Sequence, residues 1–115
     1  GMHKIKIKIG NEVKVWMIDS GASDLLVSDE FAKTLKEKGF LSELNYIGEG
    51  RYAMADNRIV LCKRYKIDSI QIGHMTVNNV ILATSKGTAE FLIGKSLLNK
   101  FSEWGIDNKN NLPFD

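Results

Sequence analysis

Asp19 is a single carboxylate set between two apolar runs, Val13-Lys14-Val15-Trp16-Met17-Ile18 before it and Leu25-Leu26-Val27 after it. Read as a strand, the first run puts Val13, Val15 and Met17 on one face and Trp16 and Ile18 on the other, so apolar walls are expected on both sides of the acid. Ser20, Gly21 and Ala22 follow at once, and small side chains leave room in front of a carboxylate for water, a substrate or a second chain. Gly21 lets the backbone turn tightly and come close to the acid, which a Cβ would hinder. The same residues are also compatible with an Asp that ends a strand and starts a turn.

The chemistry open to such an acid is hydrolysis of an amide. That reaction needs an activated water and a protonated leaving amine, and two carboxylates sharing one proton supply both, one as base and one as acid. Like charges at close range push one pKa up, so the pair stays singly protonated. This chain offers one acid in the right setting. A two-fold dimer would place it opposite its own copy. Ser20 would then stand near the axis, able to hydrogen-bond across it, and a polypeptide would lie over both subunits as an extended strand held through its backbone.

Composition narrows the alternatives. The 115 residues make one domain, taken as 2–115, with Gly1 ahead of Met2 read as a tag-cleavage scar. At 43% hydrophobic and 26% charged, the chain can bury a core. A formal charge of +2 argues for neither nucleic acid nor a membrane as partner. Lys4, Lys6 and Lys8 alternate with Ile5, Ile7 and Ile9 and read as the wet face of a strand. One cysteine, Cys62, cannot form an internal disulfide and fits a reducing cytoplasm, the expected location. With His3 and His74 the chain's histidines, no metal site and no other cofactor is expected. No apolar run is long enough to span a bilayer, and no signal-peptide pattern is present.

The elements that must position Asp19 are short. Residues 3–9 and 12–18 alternate as two strands about a Gly10-Asn11 turn. Ser28 is a helix N-cap, with Asp29 and Glu30 in the first turn; Phe31, Ala32 and Leu35 form the buried stripe, and the helix ends at Lys36, Lys38 and Gly39. A loop is expected through 40–43, then strands over 44–54 and 58–67 about the polar turn Ala55-Asp56-Asn57-Arg58. Residues 67–72 continue as a strand to Gly73-His74, and 76–83 form another. Ser85–Thr88 reads as a loop, Phe91-Leu92-Ile93 as a short buried run closed by Gly94, and 95–101 as a second short helix. Trp104–Asp107 reads as a final strand, and apolar strand, small-residue turn and helix at 15–38 echo faintly at 91–101. Many short strands with frequent turns point to an all-β barrel or sandwich.

Two stretches together carry a family resemblance. Met17-Ile18-Asp19-Ser20-Gly21-Ala22-Ser23 resembles the Asp-Thr/Ser-Gly-Ala signature of retropepsin-like aspartic proteases, and Phe91-Leu92-Ile93-Gly94-Lys95-Ser96-Leu97-Leu98 resembles their second signature. The hairpin about 55–58 falls where that family has its flap, and the ending from Trp104 through Leu112 is similar to that of cellular, mostly bacterial, single-domain members. The resemblance implies an all-β fold, a closed barrel of the retropepsin-like type with one or two short helices. It implies a homodimeric aspartic endopeptidase with Asp19 from each subunit as the catalytic acid. Ser20 and Gly21 would support the active-site loop, while Ala22, Ser23 and Asp24 would line the substrate path and Ala55, Asp56, Asn57 and Arg58 would close over it.

The chain departs from viral members at three places. Its hairpin tip is Ala-Asp-Asn-Arg rather than Gly-rich, Ser23 stands where they carry an Asp, and Lys95 stands where they carry an Arg. These departures keep a second reading open, a dimeric protease-like domain that grips peptides without cutting them. The intact Asp19-Ser20-Gly21 speaks against it. Trp16 and Trp104 are expected in the core or an interface, His74 in an exposed turn, and neither Cys62 nor Ser20 stands in a nucleophile motif.

Overall fold

Strict alternation of Ile and Lys builds the first strand, because the pleat sends successive side chains to opposite faces. β1 (Lys4–Ile9) buries Ile5, Ile7 and Ile9 and exposes its lysines. The computed structural model describes residues 4–18, 24–53, 57–86 and 92–94, and the expected helix at 95–101 and strand at 104–107 lie outside them. β2 (Glu12–Ile18) returns antiparallel, with Ile5 opposite Trp16 and Lys6 opposite Val15. Trp16 is fully buried, as expected of a core aromatic. Val13 and Val15, at 53% and 52% exposed, lie on the outer face with the lysines, so the apolar wall expected on that side of Asp19 is a solvent face along these two residues.

The turn between them is fixed by sterics. Gly10 has φ +61°, and a Cβ there would stand 2.2 Å from Cγ of Phe40. Phe40 is brought there by the helix it follows. β3 (Leu25–Ser28) runs into α1 (Asp29–Glu37), where the Ser28 hydroxyl accepts the Phe31 N–H at 3.2 Å as N-cap. Phe31, Ala32 and Leu35 face the core, and Lys14 places its ammonium 5.8 Å from the Phe31 ring centre. The helix ends in a Schellman pair, Gly39 N–H to Lys36 C=O at 3.1 Å and Phe40 N–H to Leu35 C=O at 2.8 Å, with Gly39 at φ +83°. Lys38 then bridges to Glu12 at 2.8 Å and ties the helix end to the β1–β2 hairpin.

The stretch read as a loop and strand start contains a 3₁₀ turn, Glu43–Asn45, because Ser42 and Asn45 cap each other's backbone. β4 (Tyr46–Ala53) therefore begins two residues later than the alternation suggests. It pairs antiparallel with β5 (Ile59–Ile72), which continues past the hairpin and pairs with β6 (Met75–Ser85) about the Gly73-His74 turn. Buried positions shift by one between Ile67 and Ile70 and between Val77 and Val80, where Asn79 is left-handed at φ +58°. Ser85, read as loop, is the last residue of β6, held there by parallel pairing of Ser28 with Ser85 and Val27 with Thr84.

β7 (Leu92–Ile93) completes one seven-stranded sheet in the order β1-β2-β7-β3-β6-β5-β4, and β1 also meets β5 at Ile7–Ile72 and Lys8–Gln71. The domain is thus mostly β with one short α-helix among the described residues, as expected. The main core gathers Ile5, Ile7, Trp16, Leu35, Tyr65, Ile72 and Leu82 beneath α1. A smaller cluster, Leu26, Cys62 and Ala83, lies under Tyr52 and Val60 of the β4–β5 hairpin.

Candidate active site

β7 organises the site although it is two residues long. Met17 and Ile18 of β2 pair with Leu92 and Ile93 in parallel, and Leu26 of β3 pairs with Leu92 antiparallel. Strand β2 therefore ends, and β3 begins, at the same end of β7. Gly94, buried, follows Ile93 there. The continuous apolar character of Leu25-Leu26-Val27 suits β3 to this position, between β7 and β6, with all three side chains buried. Asp19, Ser20, Gly21, Ala22 and Ser23, which join β2 to β3 in sequence, lie outside the described residues, as do Ala55 and Asp56.

Asp24 is the first described residue after 19–23. Its Oδ2 accepts a 2.5 Å hydrogen bond from the Tyr52 hydroxyl, which comes from the far strand of the hairpin. Burial pushes the Tyr52 phenol well above its usual pKa, and the hydrogen bond to the Asp24 carboxylate and that group's charge push it further, so the hydroxyl is a neutral donor. Gly48 and Gly50 share the Tyr52 face of β4, and Arg64 lies across them. Its Nε donates to the Gly48 carbonyl at 3.4 Å, and its Cδ comes within 2.9 Å of where a Gly50 Cβ would be. Gly48, at φ +99°, adopts a backbone that an L side chain resists. Asn57, left-handed at φ +69°, and Arg58 are exposed at the hairpin end.

The family described as "gag-polyprotein putative aspartyl protease" matches residues 5–100. The chain belongs to this aspartyl protease family. Among solved structures, a retropepsin-like aspartic protease from Rickettsia conorii aligns with a TM-score of 0.61 and 22% identity, over 87% of this chain and 70% of that one. That likeness is one of fold. No curated protein matches the chain.

Within this retropepsin-like domain the described site residues fall into two groups. Asp24 meets the hairpin through Tyr52, whereas Asn57 and Arg58 stand at its exposed end. Tyr52 was not singled out from sequence, yet a signal exists in Gly48-x-Gly50-x-Tyr52, two absent side chains and then a large one on the same strand face. Cys62 is buried on β5, and its thiol is pushed up by that burial, only partly offset by a side-chain hydrogen bond with Ser85. A covered, protonated thiol is a packing residue rather than a nucleophile. His74 is exposed in its turn, as expected. No three His, Cys, Asp or Glu side chains converge on a metal position among the described residues. A cleft of about 550 Å³ between the Gly10 turn, Phe40, Leu44 and Asp68 lies toward the opposite end of β2 from Ile18.

Proposed function

We propose that the chain is a homodimeric aspartic endopeptidase in which Asp19 from each subunit activates a water for attack on a peptide bond. The observation that carries this reading is the frame around residues 19–23. Two strands flank β7 in register and hold both ends of the acid-bearing segment at one end of a family-matched domain. In the proposed mechanism one carboxylate, ionised, takes a proton from water while its protonated partner donates one to the carbonyl oxygen. The first then passes the water-derived proton to the leaving amine as the C–N bond breaks, and the partner regains a proton from the tetrahedral hydroxyl. Ser20 hydrogen-bonds across the two-fold axis and Gly21 keeps backbone close to substrate. Ala22, Ser23 and Asp24 line the substrate path, and the hairpin end Ala55, Asp56, Asn57 and Arg58 covers it. The contact of β1 with β5 supports closure of the sheet into a barrel behind this site.

Asp19→Asn is expected to abolish cleavage of denatured casein or a peptide library between about pH 4 and 7 while leaving the oligomer intact. Unreduced cleavage by that variant would refute the assignment. Activity should fall at enzyme concentrations below the dimer dissociation constant, because a monomer holds half a site, and a pepstatin-type inhibitor should block it. The engagement of Asp24 by Tyr52 favours one alternative, a peptide-binding domain with the hairpin held down and no turnover. Peptide binding to wild type without any product would establish that alternative.

A further inference from the structure

The Tyr52–Asp24 hydrogen bond joins two segments that the described sheet does not pair. β4 is an edge strand bonded along one side to β5, and β3 lies between β7 and β6. We propose that Tyr52 and Asp24 form a latch that holds the β4–β5 hairpin down against the segment entering β3, making both positioning residues for the peptide cleft. The latch rests on reading that hairpin as the cover of the cleft.

Three features of the hairpin make this contact the point of attachment. Gly48 and Gly50 leave Tyr52 as the side chain that reaches down from residues 48–52 of β4. Its ring, with Val60 opposite, packs on Leu26, Cys62 and Ala83, which belong to three different strands, so it is seated as well as bonded. The other face of the hairpin is exposed at Arg51, Ala53, Ile59 and Leu61 and clamps nothing among the described residues. Releasing Tyr52 therefore breaks one short O–H···O⁻ bond, uncovers a small apolar seat and leaves the edge strand β4 held by its β5 ladder alone, so that it frays more readily.

The donor is neutral and the acceptor is a carboxylate, the combination that gives the shorter and stronger class of hydrogen bond. Its loss is expected to shift the opening equilibrium of the hairpin about tenfold. Asp24 acts in this scheme through Tyr52. Its carboxylate sets how closely the β4–β5 strands approach substrate, and a peptide meets an already lowered cover.

Hydrogen exchange on the whole chain tests the latch without requiring catalysis. Tyr52→Phe keeps the seated ring and removes the hydroxyl. It should speed exchange of the β4–β5 ladder amides near residues 50–53 and 59–62 about tenfold, with α1 unchanged as the control for folding. Asp24→Ala should match it, Asp24→Asn, which keeps an oxygen acceptor, should fall between, and the double variant should exchange no faster than either single one. With a peptide substrate, Tyr52→Phe should raise KM several-fold and leave kcat within about twofold. Unchanged hairpin exchange, multiplying effects in the double variant, or acceleration spread equally over α1 would each overturn the latch. Full activity of Asp19→Asn would instead overturn the proposed protease mechanism and leave the exchange result standing.

Discussion

Replacing Gly10 by Ala tests how the β1–β2 hairpin is seated, and its cost can be built from two separable parts. The backbone at φ +61° is left-handed, which costs a residue with a Cβ about 1–2 kcal/mol. The added Cβ would also lie 2.2–2.4 Å from Cγ, Cδ1 and Cδ2 of Phe40. Carbon atoms pack at about 3.5–4.0 Å, so the ring must retreat by more than about 1 Å. Phe40 cannot swing away freely, since its N–H closes the Schellman pair on Leu35 at 2.8 Å. Overpacking of this kind costs about 1–3 kcal/mol, bringing the total to about 2–5 kcal/mol against a typical domain stability of about 5–15 kcal/mol. Gly39→Ala is the internal control. Its φ is +83°, but no heavy atom lies within 4 Å of the new Cβ, so it should carry the backbone part alone. Urea unfolding followed by circular dichroism measures both. Gly10→Ala should be the more costly by about 1–3 kcal/mol, and Phe40→Ala should remove that excess in the double variant. Equal costs at Gly10 and Gly39, or an excess that survives Phe40→Ala, would refute this packing.

Two further outcomes follow from the hairpin cluster. Cys62 should react with a disulfide reagent at neutral to mildly alkaline pH far more slowly in the folded protein than in urea, because its thiol is covered and held protonated by burial; immediate stoichiometric labelling of the folded chain would contradict this. Tyr52 predicts a loss of stability on the alkaline side: above about pH 10 the unfolded chain releases the phenol proton while the folded chain keeps it, so the unfolded state binds fewer protons and stability falls as pH rises, with a slope of no more than one proton from this residue. Tyr52→Phe should flatten that slope, and a wild-type minus variant absorbance difference showing a phenolate titrating near pH 10 in the folded protein would rule the shift out.

Local chemistry made part of this fold readable in the sequence. The β1–β2 turn follows from Gly10 between two alternating runs, and α1 follows from Ser28, Asp29, Glu30 and a Phe31-Ala32-Leu35 stripe. Each needs only neighbours along the chain. Features that depend on distant partners were not readable. Ser85 belongs to a strand because β3 supplies its ladder, and Val13 and Val15 face solvent because they share the lysine face of β1. The Tyr52–Asp24 bond spans 28 residues and needs the hairpin folded over β3 before either side chain has a partner. Of the candidate site, the signature around Asp19 and the pair Leu92-Ile93 could be read as motifs, but only the strand register brings Met17-Ile18 beside Leu92-Ile93.

That register bears on why one chain would need another. Ile18 stands opposite Ile93 in parallel strands, and in sequence Asp19 follows the one as Gly94 follows the other. Of the weak echo between 15–38 and 91–101, the two strands lie among the described residues, as parallel neighbours that end at the same end of the sheet, whereas the turn at 19–23 and residues 95–101 lie outside them. A chain with its own second catalytic acid could carry it where the second strand of this pair ends. Here that place holds a buried glycine, which contributes neither charge nor proton. In the proposed mechanism the carboxylate facing Asp19 comes from a second copy. The burial of Gly94 also indicates what introducing an acid there would do. An unpaired carboxylate forced into a buried glycine position would have to be desolvated, at a cost of several kcal/mol. Gly94→Asp should therefore fail to restore single-chain catalysis and should destabilise the fold instead.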